Sequence, residues 1–186
     1  MAEPTRREQI LATAADLFAA RGFHGVSVAD LGAAVGISGP ALYKHFPSKQ
    51  AMLAEMLVSI SERLLSVGRE RVAAGAGDPD VALRGLVDWH VEFALAHRPL
   101  IIVQDRDWES LPLDARDAVR DFQRQYVDLW ADQVRTLRPG LDAGTAHAAV
   151  QAVFGLINST PRAGHTIDDD ELGALLAAMA WAALSG

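Results

Sequence analysis

Tyr43, Lys44 and His45 stand in a row directly behind Ser38, Gly39, Pro40 and Ala41. A phenol, an ammonium and an imidazole are the donors expected against phosphate oxygens, and the small residues before them let a backbone come close. Ser27 and Lys49 stand at predicted helix starts, where backbone N–H groups favour anions. Ser27, Ser38, Gly39, Pro40, Ala41, Tyr43, Lys44, His45 and Lys49 therefore form a candidate nucleic-acid-binding set. A second set is aromatic. Trp89, His90, Phe93, Trp108, Phe122, Tyr126, Trp130 and Phe154 come from separate predicted elements and mostly fall on inward faces, with Asn158 and Arg106 as polar companions. Aromatic walls with a few polar tips suit an organic ligand. The same residues also suit a plain core.

Other chemistry finds no foothold. The six His include His90 and His97, seven apart on one helix face, two turns where a chelating pair wants one. No cysteine is present, so neither a disulfide framework nor thiolate chemistry is available, and a reducing cytoplasm is permitted. No zinc-protease, nucleophile-elbow, phosphate-loop or dinucleotide-binding pattern occurs. The expectation is a protein without metal, cofactor or catalytic residues.

The elements that must position the first set lie in residues 27–53. Ser27 caps a short helix with Asp30 three residues on, and Val28, Leu31 and Val35 give that helix an apolar edge. Gly36 supplies a left-handed stop, Ile37 packs the turn, Ser38 caps the next helix, and Pro40 sits in its first turn. Leu42 and Phe46 hold that helix down and leave Ala41, Tyr43, Lys44 and His45 outward. Two short helices about a glycine turn, the second with small residues in front, read as a helix-turn-helix. Ahead of it, Thr5 and Glu8 have capping-box spacing, and Ile10, Leu11, Ala14, Leu17 and Phe18 line one face of a bracing helix. Arg6 and Arg7 open that helix as minor-groove candidates or a solvated end.

Ile10-Leu11, Ala14, Leu17-Phe18, Gly22-Phe23, Ser27-Val28, Gly36-Ile37-Ser38, Leu42-Tyr43, His45-Phe46, Lys49 and Leu53 follow one another without a gap. In this register the chain resembles the DNA-binding domain of the tetracycline-repressor (TetR/AcrR) family of transcriptional regulators. The likeness covers about the first quarter of the chain. Gly39 stands where many members carry Lys, and Pro40 where many carry Gly, which removes one phosphate cation and one backbone donor. The resemblance implies an operator of double-stranded DNA, a small-molecule inducer in the body, and a homodimer formed by the last two helices.

Behind the head the chain continues in helical periods. A long helix is predicted from Ser48 to about residue 74, with Met52, Met56, Leu57, Ile60, Leu64 and Val67 as its stripe. A helix over residues 79–97 follows, then Arg98-Pro99 and a short apolar segment, then a long helix over residues 112–137 ended by Pro139-Gly140. Residues 146–157 and 172–184 are apolar nearly all round, which calls for burial on more than one side and makes Val150, Phe154, Met179 and Trp181 candidates for a dimer interface. Residues 158–170 between them read as a polar loop.

The fold class expected is all-α, with a three-helix helix-turn-helix domain over residues 1–47 followed by a larger helical ligand-binding and dimerisation domain over residues 48–186. The formal net charge is −7, unevenly placed: residues 1–50 hold five basic against four acidic side chains, so the acidity belongs to the rest. Only the tip suits a phosphate backbone. The N-terminal ten residues hold no apolar stretch of a secretory signal, and no apolar run is long enough to span a bilayer, so a cytoplasmic, membrane-free protein is expected. The function expected is a ligand-responsive, homodimeric regulator, a repressor released by a small hydrophobic effector. A ligand-blind DNA-binding regulator, or a small helical enzyme or binding protein, stays open as an alternative.

Overall fold

A computed structural model describes residues 5–163 and 167–186; residues 1–4 and the loop residues 164–166 lie outside the described part. Among the described residues the regular elements are all helical: α1 Arg6–Arg21, α2 Val28–Ala34, α3 Gly39–Tyr43, α4 Lys49–Ala74, α5 Pro79–Ala96, α6 Arg98–Asp107, α7 Leu113–Leu137, α8 Ala143–Ile157 and α9 Asp169–Ser185. Short 3₁₀ turns follow α6 and α8. The expected all-α class is the observed one. No helix is long and apolar enough to cross a membrane among the described residues.

The local signals behave as their chemistry dictates. Thr5 and Glu8 close a capping box on α1, and Ser27 and Asp30 close another on α2. Gly36 has φ +70°, in the left-handed region that Cβ-bearing residues avoid. Residues 98–107 differ from the sequence expectation. The apolar stretch behind Arg98-Pro99 is a helix, because Pro99 falls in its first turn, where no N–H is needed.

By contact the chain divides into two compact units. The first comprises residues 1–60 and 99–119; the second comprises residues 61–98 and 120–186. In the first, Phe18, Phe23, Leu31, Leu42, Phe46, Leu53 and Leu57 pack in one cluster with Val103, Leu111 and Val119. Burial of each such side chain contributes about 1.5–3 kcal/mol. The end of α6 is fastened to the end of α1. Arg106 donates to the Phe18 and Ala19 carbonyls, while the buried Asp107 carboxylate accepts the Phe23 N–H at 3.2 Å.

In the second unit, α5 packs on α8 and α9. Thr160 donates to the Ala94 carbonyl at 2.9 Å, and Arg98 grips Asp169 through two nitrogens at 2.7 and 3.0 Å. α8 buries Ala146, Val150, Val153 and Ile157, and α9 buries Leu172, Leu176, Ala180 and Leu184. Each is one stripe. The expectation of burial on several sides is met within this chain on a single side only, and Leu175 and Met179 remain 49% and 46% exposed.

Candidate nucleic-acid interface and effector site

α3 is pinned from beneath by Leu42, 2% exposed, and its first turn is capped by Ser38, whose hydroxyl accepts the Ala41 N–H at 3.4 Å. Tyr43 is thereby turned outward at 53% exposure, with Lys44 exposed beside it, Pro40 exposed, and Gly39, Ala41 and His45 half-buried. The turn between α2 and α3 depends on a residue the sequence reading passed over. A Cβ on Gly32 would lie 2.7 Å from the Ile37 carbonyl oxygen, and the Ile37 N–H donates to the Gly32 carbonyl at 2.9 Å. The signal was present as a glycine inside a short helix, where helix propensity disfavours it.

Not every expected phosphate ligand is available. The Lys49 ammonium donates to the Phe23 and Val26 carbonyls at 2.6 and 2.7 Å and lies 4.3 Å from the centre of the Phe23 ring. It ties the α1–α2 connection to the start of α4, so its role is structural first. The Ser27 hydroxyl donates to Asp30 at 2.5 Å and accepts the Asp30 N–H, an arrangement that holds the Asp30 carboxyl below its ordinary range. Arg7, a minor-groove candidate by sequence, clamps Glu55 through Nε at 2.6 Å, donates to the His45 carbonyl, and lies 4.1 Å over the Phe46 ring. Arg6 donates to the Val35 carbonyl. Tyr43 at the end of α3 and Lys44 directly after it are left as polar side chains presented to solvent.

Most of the aromatic set comes together in one group. His90, Phe93, Tyr126, Trp130 and Phe154 meet in the second unit. The His90 ring stacks on Phe154 at 4.5 Å and Tyr126 at 5.7 Å, and meets Trp130 edge-on at 5.9 Å. Its Nε2 lies 3.2 Å from the Asn158 Oδ1. An amide oxygen only accepts, so Nε2 carries the proton and Nδ1 keeps a lone pair. Burial lowers the His90 pKa to about 4, against a smaller upward pull from Asn158, so the ring is neutral at neutral pH. Trp89 joins at the edge through Phe93, at 6.4 Å, and donates its indole N–H to the Leu64 carbonyl at 3.3 Å.

Three polar atoms in this group lack hydrogen-bond partners: His90 Nδ1, the Tyr126 hydroxyl and Trp130 Nε1. Their residues are 2%, 3% and 0% exposed. Burial raises the Tyr126 pKa, against a smaller downward pull from the nearby Trp130 N–H, which does not meet hydrogen-bond geometry. Gly68 of α4 sits against this ring: a Cβ there would lie 2.6 Å from the Tyr126 ring edge.

Arg106 and Trp108 do not join the group. Both belong to the first unit, where Arg106 holds the end of α1 and Trp108 packs against that unit's core. Phe122 is half-buried on α7. Among the interface candidates, Val150 is fully buried in its own chain and cannot face a partner. Phe154 is half-buried in the aromatic group, Trp181 is half-buried with the Arg84 guanidinium 3.6 Å from its ring centre, and Met179 is exposed.

Residues 10–56 match the profile of bacterial regulatory proteins of the tetR family, and residues 76–162 match that of tetracyclin repressor-like C-terminal domains. A relative from Mycolicibacterium smegmatis, the HTH-type transcriptional repressor KstR2, is 30% identical over 79% of this chain and 75% of its own length. The chain belongs to the TetR family. It is a helix-turn-helix, DNA-binding transcriptional regulator and not an enzyme. KstR2 of Rhodococcus jostii is 32% identical over 67% of this chain, and the match spans 61% of that relative's length. A solved structure of KstR2 from Mycobacterium tuberculosis, described as a ketosteroid transcriptional regulator, overlays with a TM-score of 0.76 at 25% identity over 97% of this chain and 95% of that one. The family assignment rests on both ends of the fold, the helix-turn-helix and the helical body.

Proposed function

We propose that this TetR-family protein is a cytoplasmic, homodimeric repressor that leaves its operator when a small hydrophobic molecule binds among His90, Phe93, Tyr126, Trp130 and Phe154, with Trp89, Phe122 and Asn158 at the edges. The observation that carries the effector is the set of three buried polar atoms without partners on mutually contacting rings. A buried donor or acceptor left unmade costs about 1–3 kcal/mol, and a ligand group that supplies the partner recovers it. The description of the M. tuberculosis relative as a ketosteroid regulator agrees with a hydrophobic effector.

On DNA, the α3 face of each protomer would enter the major groove, with Tyr43 and Lys44 as principal contacts, His45 in support, and Ser38, Gly39, Pro40 and Ala41 allowing close approach. Two heads of a dimer must sit about one helical turn of DNA, roughly 34 Å, or a multiple of it, apart. Dimerisation through α8 and α9 is supported on α9 by Leu175 and Met179, which stay exposed on the flank of the buried stripe. An effector that binds better to a conformation with the heads wrongly spaced lowers operator affinity by that differential binding energy. Within the second unit α4 carries Gly68 against Tyr126. A shift of the Tyr126 ring would press directly on this helix.

The test is Trp130→Ala with a thermal-shift screen of hydrophobic compounds on the wild type. The expected result is a wild-type shift with some of the compounds, lost or much reduced in the variant, with operator binding by the free variant intact. A variant that melts, together with a wild type that no compound stabilises, assigns the rings to plain core.

A further inference from the structure

The effector site is chemically particular. After His90 Nε2 is used on Asn158, three unsatisfied groups remain: an acceptor at His90 Nδ1, a donor at Trp130 Nε1, and the Tyr126 hydroxyl, which does either. Each belongs to a residue no more than 3% exposed, and the three rings are in mutual contact, with centroids 5.7 to 5.9 Å apart. The other rings against His90 are those of Phe93 and Phe154, at 6.1 and 4.5 Å. These side chains bring no cation. Arg63 is exposed and lies 5.8 Å over the Trp89 ring, which reaches His90 through Phe93.

We propose that the group recognised here is an uncharged hydroxyl on an otherwise apolar alicyclic or aromatic molecule, and that carboxylates are rejected. The inference rests on the effector reading above and narrows it. An alcohol accepts from the Trp130 N–H and the Tyr126 O–H and donates its own proton to His90 Nδ1, which answers all three groups. A ketone answers the two donors and leaves the imidazole lone pair unmet. A carboxylate has no proton for that lone pair, and it carries a charge into rings with no cation to meet it, so its desolvation goes uncompensated. A hydrocarbon leaves all three unmade.

Three probes of one shape test this on the full chain: 4-phenylcyclohexanol, phenylcyclohexane and 4-phenylcyclohexanecarboxylate, titrated by calorimetry and by tryptophan fluorescence. The alcohol is expected to bind at least tenfold more tightly than either of the others. In Tyr126→Phe that advantage over the hydrocarbon shrinks severalfold, and the free variant melts no lower than the wild type, since it loses an unpaired hydroxyl. A carboxylate that binds as tightly as the alcohol overturns the inference and leaves a hydrophobic effector standing, as does a hydrocarbon that equals the alcohol. If none of the three binds at millimolar concentration, the inference falls. The melting of Tyr126→Phe then decides the rest: a variant no less stable keeps the effector reading with other chemistry, and a destabilised one removes both.

Discussion

The charged side chains around the helix-turn-helix divide by whether the fold already holds them. Lys49 and Arg7 are tied to backbone carbonyls and, for Arg7, to Glu55, whereas Lys44 is exposed. Residue type alone does not separate these cases, because the carbonyls that capture Lys49 belong to Phe23 and Val26, more than twenty positions away. His90 shows the same limit from the other side. Its place on an apolar helix face was legible, but not that its Nδ1 is left without a partner. Its pH behaviour follows from burial. The folded pKa of about 4 lies below the ordinary 6.5, so between those values the unfolded chain takes up a proton that the folded chain refuses. Stability is complete above pH 6.5 and falls as pH drops, by about 3 kcal/mol at pH 4. His97 shifts the same way through burial, while the half-buried His147, raised by Asp128, acts oppositely. His90→Phe should flatten the loss between pH 6.5 and 4 in urea melts; a slope equal to the wild type's would show that the ring is hydrated.

Helix ends were the most legible feature, because caps are local. Thr5, Ser27 and Ser38 each cap the helix that follows. The α6 segment was not legible as a helix, since its ten residues, Arg98-Pro99 included, offer little periodicity, and it is long-range contact from Arg106 to α1 and from Asp107 to Phe23 that holds them. The α2–α3 turn combines both kinds of information: Gly36 is local, Gly32 a matter of packing. Gly32→Ala would drive a methyl group into the Ile37 carbonyl, at a cost of about 1–3 kcal/mol. The variant should melt earlier and bind DNA more weakly than its loss of stability explains, because α3 is displaced. Unchanged DNA affinity in a folded variant would show that the turn tolerates the shift.

Charge and apolar surface decide what the molecule as a whole can bind. With a net charge of −7 it is a poor general polyanion binder, so its DNA affinity must come from a few placed groups. Leu175 and Met179 leave apolar surface on α9, while on α8 the stripe containing Val150 was visible in the sequence but its direction, into its own chain, was not. Leu175→Glu with Met179→Glu should yield monomers at micromolar concentration in sedimentation velocity, since two carboxylates would be buried unpaired at the interface. Persistent dimers would place the contact elsewhere. The most direct measurement of DNA recognition by α3 is the salt dependence of binding to a fragment recovered by selection from genomic DNA, compared between wild type and Lys44→Ala by fluorescence anisotropy. The expected result is salt-sensitive wild-type binding and a variant that binds more weakly, with its log–log slope reduced by about one. A folded variant with unchanged affinity and slope would contradict it.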